Sequence, residues 1–181
     1  MSPLDATLVG EACRPPALSD AGAPVLVLGV GNLLMGDEGV GVHVLRTLEG
    51  GPPEAGVRLL DGGTGGVDLL GDLLQARVVI LIDATRDGQT AGTITRLRPE
   101  TAGAVPLGLS AHDFGLKDLF AAATLVRGMP TVHLFTISVV TVNPMSFELS
   151  APVAAAVPGV VQAVRTLAAQ LAARYLASER T

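Results

Sequence analysis

Val78-Val79-Ile80-Leu81-Ile82 is an unbroken apolar run that stops at Asp83 and leaves no polar residue to face water on either side. A strand that alternates polar and apolar residues can lie on a surface, whereas one that does not must be covered on both faces. The segment therefore predicts a central parallel strand with helices above and below it. Neighbouring patterns supply those layers. Val25 to Leu28 reads as a strand running on to Gly31, and a helix from Gly39 to Glu49 follows with Val44, Leu45 and Leu48 on its apolar face. Val57 to Asp61 reads as a second strand before Gly62-Gly63-Thr64-Gly65-Gly66. Val67, Leu70, Leu73 and Leu74 then recur at helical spacing.

Gly92 to Arg98 alternates and is more polar, which suits a sheet edge. Ser110 is placed to cap a helix whose buried stripe is Leu116, Leu119, Phe120 and Ala123. Thr131 to Val140 reads as the last strand. Ser150 then caps a long final helix with Val157, Val160, Val161, Val164, Leu167 and Leu171 on its core face. Pro158 is expected to kink that helix or end its first segment. The predicted class is α/β, a three-layer sandwich with a twisted, mostly parallel five-stranded sheet flanked by helices.

At 181 residues the chain is most economically one α/β domain over residues 24–181. Residues 1–23, with Arg14-Pro15-Pro16 and a loose composition, read as a disordered tail. Hydrophobic residues make up 49% but aromatics only 3%, so Val, Leu, Ile and Ala must build the core. A net charge of −5 without a basic run argues against nucleic-acid or anionic-membrane partners. Cys13 is the only cysteine, which excludes an intramolecular disulfide, a thiolate zinc cluster and a Cys-x-x-Cys redox site. The leader lacks the pattern of a secretory signal. Ala151 to Val164, interrupted by Pro152, Pro158 and Gly159, is too short an apolar stretch to cross a bilayer. A soluble cytoplasmic protein is expected.

In open α/β sheets the ligand site lies beyond the carboxyl ends of the strands. Glu38, Asp61 and Asp83 each follow the end of a predicted strand, and His112 joins them if its loop returns to the same edge. Gly29, Gly31, Gly36, Gly39 and Gly41 permit tight turns around Glu38 and strip away neighbouring side chains, predicting an accessible carboxylate. Asp37 reads as a helix cap. Asp83 ends an apolar strand, so its carboxylate is expected at the rim of the core. His112 with two carboxylates forms a mixed N/O set suited to nickel or zinc, with positions open for substrate. His43 reads as solvated on the first helix, and His133 as part of a strand or its rim.

Other chemistries fit less well. Gly29 and Gly31 start a dinucleotide fingerprint, but Leu34 stands at its third glycine and no Gly-Lys-Ser/Thr follows. His-Glu-x-x-His is absent. Gly108-Leu-Ser110-Ala-His112 lacks the closing glycine of a nucleophile elbow. Asp61-Gly62-Gly63-Thr64-Gly65 differs from the Asp-Thr/Ser-Gly loop of pepsin-like enzymes.

Taken together, Gly29-Val-Gly31-Asn32-Leu-Leu-Met-Gly-Asp37-Glu38-Gly-Val-Gly41, Asp61-Gly62-Gly63-Thr64, Ile82-Asp83-Ala84 and Ser110-Ala-His112-Asp-Phe-Gly115-Leu116 resemble the hydrogenase maturation proteases. The resemblance covers roughly residues 24–170 in matching order. It implies an endopeptidase, grouped with the aspartic-type enzymes, that removes the C-terminal extension of a [NiFe]-hydrogenase large-subunit precursor after nickel insertion. By motif position it implies that Glu38, Asp83 and His112 contact metal and that Asp61 is a further acidic site residue. The nickel is expected to arrive in the substrate. A non-catalytic nickel-binding maturation chaperone with the same triad is the alternative. Thr141-Val142-Asn143-Pro144 departs from the Gly-Val-Gln-Pro-like turn of many members, which bears on which hydrogenase is recognised.

Overall fold

The computed structural model describes residues 23–106, 109, 113–128, 130–142 and 144–178, with the side chains of 113–115 left aside. Cys13, Ser110, His112, Asn143 and the leader up to residue 22 lie outside the described residues. The strands are β1 (Val25–Val30), β2 (Val57–Gly63), β3 (Val78–Thr85), β4 (Ile94–Leu97) and β5 (Thr131–Ser138). The helices are α1 (Val40–Glu49), α2 (Leu70–Gln75), α3 (Asp113–Arg127) and α4 (Ala151–Ser178). They form one five-stranded sheet in the order β2-β1-β3-β5-β4, parallel except for β4, which runs antiparallel to β5. The predicted class and the edge position of Gly92–Arg98 agree with this architecture.

Alternation along the central strands divides the interior in two. Val25, Val27, Val78, Ile80 and Ile82 face one core with α1 and α4. Leu26, Leu28, Val79 and Leu81 face the other with α2 and α3, including the predicted stripe of Leu116, Leu119, Phe120 and Ala123. Because side chains alternate, Asp83 shares the side of Val79 and Leu81.

Several boundaries differ from the sequence reading. β3 does not stop at Ile82 but continues to Thr85, paired along its length with β5, so Asp83 sits inside a strand. β2 runs to Gly63, and β5 ends at Ser138. Val67 is exposed in a 3-10 turn ahead of α2 and contributes nothing to the core. α4 passes through Pro158 as a single helix of 28 residues, so the proline does not end it. By length and composition α4 could cross a membrane, which the shorter apolar run did not suggest. In the fold its Val153, Val160, Val164, Leu167 and Leu171 are buried in the first core.

Asp37 is not a helix cap. It lies in a 3-10 turn, Gly36–Gly39, and no side chain caps that turn. Its carboxylate instead accepts from the Ser150 backbone N–H at 2.6 Å and from the Ser150 hydroxyl at 2.8 Å. Ser150 precedes α4 and its carbonyl accepts from Ala154 N–H, so Asp37 places negative charge at the helix start, where the dipole favours it. Asp37 is 4% exposed, and both bonds are charge-assisted. Asp37→Ala is expected to cost about 2–3 kcal/mol, since it leaves the start of α4 without its acceptor. Urea unfolding midpoints of the two proteins check this directly.

Candidate functional site

The site forms where the β1–α1 connection folds over the carboxyl end of β3. Gly41 lets α1 approach closely: a Cβ there would lie 2.3 Å from the Val30 carbonyl oxygen and 2.4 Å from that of Ile82. Gly31, at φ +137°, closes the turn from the other side, and a Cβ on it would come within 2.0 Å of the Glu38 carbonyl oxygen. The glycines therefore draw the backbone down onto the sheet. Glu38 is consequently buried, at 1% exposure, and not accessible as the sequence suggested. Asp83 is 0% exposed, buried within β3 and not at the rim.

Two carboxylates in such a place require compensation, because desolvating an uncompensated charge costs several kcal/mol. Asp83 Oδ1 accepts from the Ala84 backbone N–H at 2.8 Å. Glu38 Oε1 lies 3.6 Å from Arg86 Nη2, an ion pair with a half-exposed guanidinium. Glu38 Oε2 is buried and has no hydrogen-bond partner among the described residues. A carboxylate oxygen in that condition is suited to a cation or to a proton-bearing substrate group. Among the described residues no three His, Cys, Asp or Glu side chains form a metal-binding group. Thus the described part of the site supplies two hard oxygen donors, and any imidazole must come from elsewhere. The chain passes the same edge at Leu109, which bridges to Thr85, and α3 begins at Asp113.

Asp61 is not brought to the pair. It is level with Ile82 across Gly29, but β1 stands between β2 and β3, so the two backbones are about 10 Å apart. Its side chain is exposed, and Oδ1 accepts from Gly63 N–H at 2.9 Å, a local turn bond. Arg86 is the residue that sequence reasoning missed. Its position just after β3, on the ligand-binding edge, was the available signal. The following Asp87 holds that loop in place. Burial, the largest single influence, raises its carboxyl, but hydrogen bonds from the Gln89 backbone, the Ser138 hydroxyl and the Gln89 side chain together bring it below its ordinary value.

His43 departs from its expected solvated position. It is half-buried, and its Nε2 has no partner among the described residues. Burial lowers its pKa, a Phe147 backbone hydrogen bond opposes this, and Arg46 lowers it further. His133, on β5, is also lowered, by burial first and then by Arg96 and Arg98. Both folded values lie below 6.5, so the stability they contribute is present above that pH and is lost as pH falls through the folded values. Unfolding midpoints are expected to hold from about pH 7.5 to about pH 6.5 and to drop as pH falls further, with a smaller drop in His43→Gln.

Leu34, Met145 and Phe147 are exposed apolar residues next to the acidic turn. The turn is linked to their segment by a Met35–Ser146 bridge and by Gly36 N–H donating to the Ser146 carbonyl at 2.8 Å. Met145 adopts φ +63°, which is uncommon for a residue with a side chain.

Residues 42–167 match the family model described as hydrogenase maturation protease. The hydrogenase 2 maturation protease of Escherichia coli K12 is 38% identical over 128 residues, covering 68% of this chain and 75% of that one. The hydrogenase expression/formation protein HupD of Rhodobacter capsulatus is 44% identical over 112 residues, covering 59% of this chain. The match spans only about half of that relative, 52% of its length. Among solved structures, the hydrogenase maturating endopeptidase HybD of E. coli superposes with a TM-score of 0.70 at 32% identity, covering 77% of this chain and 88% of its own. The [NiFe] hydrogenase maturation protease HybD of Thermococcus kodakarensis gives 0.67 at 26% identity, covering 80% and 98%.

Proposed function

Because this chain belongs to the hydrogenase maturation protease family, we propose that it is a cytoplasmic endopeptidase that removes the C-terminal extension of a [NiFe]-hydrogenase large-subunit precursor. The observation that carries the reading is the buried pair Glu38 and Asp83 at the ligand-binding edge, with Glu38 Oε2 left open. Nickel belongs to the substrate in this reading. Glu38, Asp83 and His112 would contact it in the precursor and so set the position of the scissile peptide. His112 follows Leu109 by three residues, and Leu109 is bridged to the end of β3.

Hydrolysis needs a base within hydrogen-bond reach of the water that attacks the scissile carbonyl. Glu38 has a free oxygen for that task. Arg86 offers a cation to the negative charge that develops on the carbonyl oxygen. The exposed Leu34, Met145 and Phe147 give the precursor an apolar surface beside the site. Asp61, held in its own turn and facing solvent, is proposed as a contact for the extension and not as a base.

Nickel-loaded and nickel-free precursors, incubated with the protein and read by mass spectrometry, test the proposal. Loaded precursor should lose its extension and nickel-free precursor should stay intact. Equal cleavage of both would remove nickel from recognition. Nickel binding without any cleavage would favour the chaperone alternative.

A further inference from the structure

The opposite end of the sheet carries a second polar site, built from residues far apart in the sequence. Edge strand β4 alternates, and one of its faces turns toward α4: Gly159 of α4 lies 3.5 Å from Ile94 Cδ1, measured from an ideal Cβ. Arg96 is on that face, its guanidinium 5.8 Å from the Phe135 ring in the α4-side core. Arg98 lies just past the end of β4 and lines the same groove. Gln170 and Arg174 are one turn apart on α4 and face the strand across a groove. Arg96, Arg98, Arg174, His133, Gln170 and Tyr175 line it, and no Asp or Glu is among its lining residues.

Three of the chain's 12 basic residues thus meet in one groove of a protein whose net charge is −5. None of the three has an ion-pair partner among the described residues. All three are exposed, so solvent screens their mutual repulsion, and together they give the groove a positive potential that attracts an anion. The groove also has a built floor. His133 is 7% exposed and lies 3.2 Å from Arg96 through Nδ1. A guanidinium has no acceptor, so Nδ1 must accept and the imidazole proton resides on Nε2. This bond anchors Arg96 while its remaining N–H groups stay available. Guanidinium forks match the paired oxygens of phosphate and carboxylate.

We propose that this groove binds a small, multiply charged oxyanion through Arg96, Arg98 and Arg174. Val78 lines the groove and Asp83 is five residues further along β3, which separates the two sites by about 17 Å. An anion here therefore does not touch the Glu38–Asp83 site, and the inference stands apart from the endopeptidase reading. A phosphoryl group and a polycarboxylate share the required chemistry.

Calorimetric titration of the full chain with inorganic phosphate, and separately with citrate, tests the site against chloride at matched ionic strength. Saturable one-to-one binding of at least one oxyanion is expected, at least tenfold weaker in Arg98→Ala/Arg174→Ala. The His133 imidazole NMR signal should move during the titration while that of His43 stays fixed. Tighter citrate binding assigns the site to polycarboxylates, and tighter phosphate binding assigns it to phosphoryl groups. Binding no stronger than chloride, or undiminished in the double variant, overturns the proposal. So does a His133 signal that stays fixed, a result read on the unmodified protein alone.

Discussion

Glu38→Gln is expected to fold and yet to lose precursor cleavage by about 10³-fold, within the range seen when a catalytic acid or base is removed. Glutamine keeps the shape of the side chain but removes the charge facing Arg86 and the basic oxygen Oε2. Asp83→Asn should behave alike, because its carboxylate is wholly buried in β3. The accompanying stability change separates this from general damage. Removing a desolvated charge should leave the unfolding midpoint unchanged or raise it, as at sites where function is maintained against stability. Single-turnover cleavage and urea unfolding, measured on the same preparations, check both halves. A variant that cleaves like the parent would take its residue out of the chemistry.

Gly41→Val is expected to cost about 3 kcal/mol or more, at the upper end for overpacking, and to leave little folded protein. The added Cβ would lie within 2.4 Å of the carbonyl oxygens of both Val30 and Ile82. Those atoms belong to the backbones of two central strands, which are paired to each other and cannot yield separately. Gly71→Val is the control, since a Cβ there meets nothing within 4 Å. It should be unchanged or slightly more stable, by about 0.5 kcal/mol or less, because glycine in helix α2 has a lower helix propensity than valine. Circular dichroism melts of the two variants give the comparison.

The fold was legible because its central strands carry continuous Val, Ile and Leu, which have one stable environment. Asp83 was misplaced for the same reason. A carboxylate looks like the end of such a run, whereas pairing with β5 carries the strand on through Ala84 and Thr85. The position of Glu38 after β1 is plain in the sequence, but its exposure is not. Glycines look as if they open space around it, whereas their lack of side chains lets the backbone descend and close that space. Asp37 shows a third limit. Its partner Ser150 is 113 residues away, and no local pattern announces that bond. The arginines of the groove are likewise dispersed between residues 96 and 174, so a search for basic runs passes over them. Arg86 needs the folded turn before its charge acquires a meaning.

The Asp37–Ser150 contact also orders events during synthesis. Glu38 is the next residue after Asp37, and their shared turn is fastened to a segment that leaves the ribosome more than a hundred residues later. A nascent chain therefore holds its acidic turn unfastened until α4 emerges and docks. The closing of that long loop is slow relative to local helix formation, because the entropy of the intervening chain must be lost first. Formation of the acidic turn is thereby tied to synthesis of a helix that begins more than a hundred residues downstream.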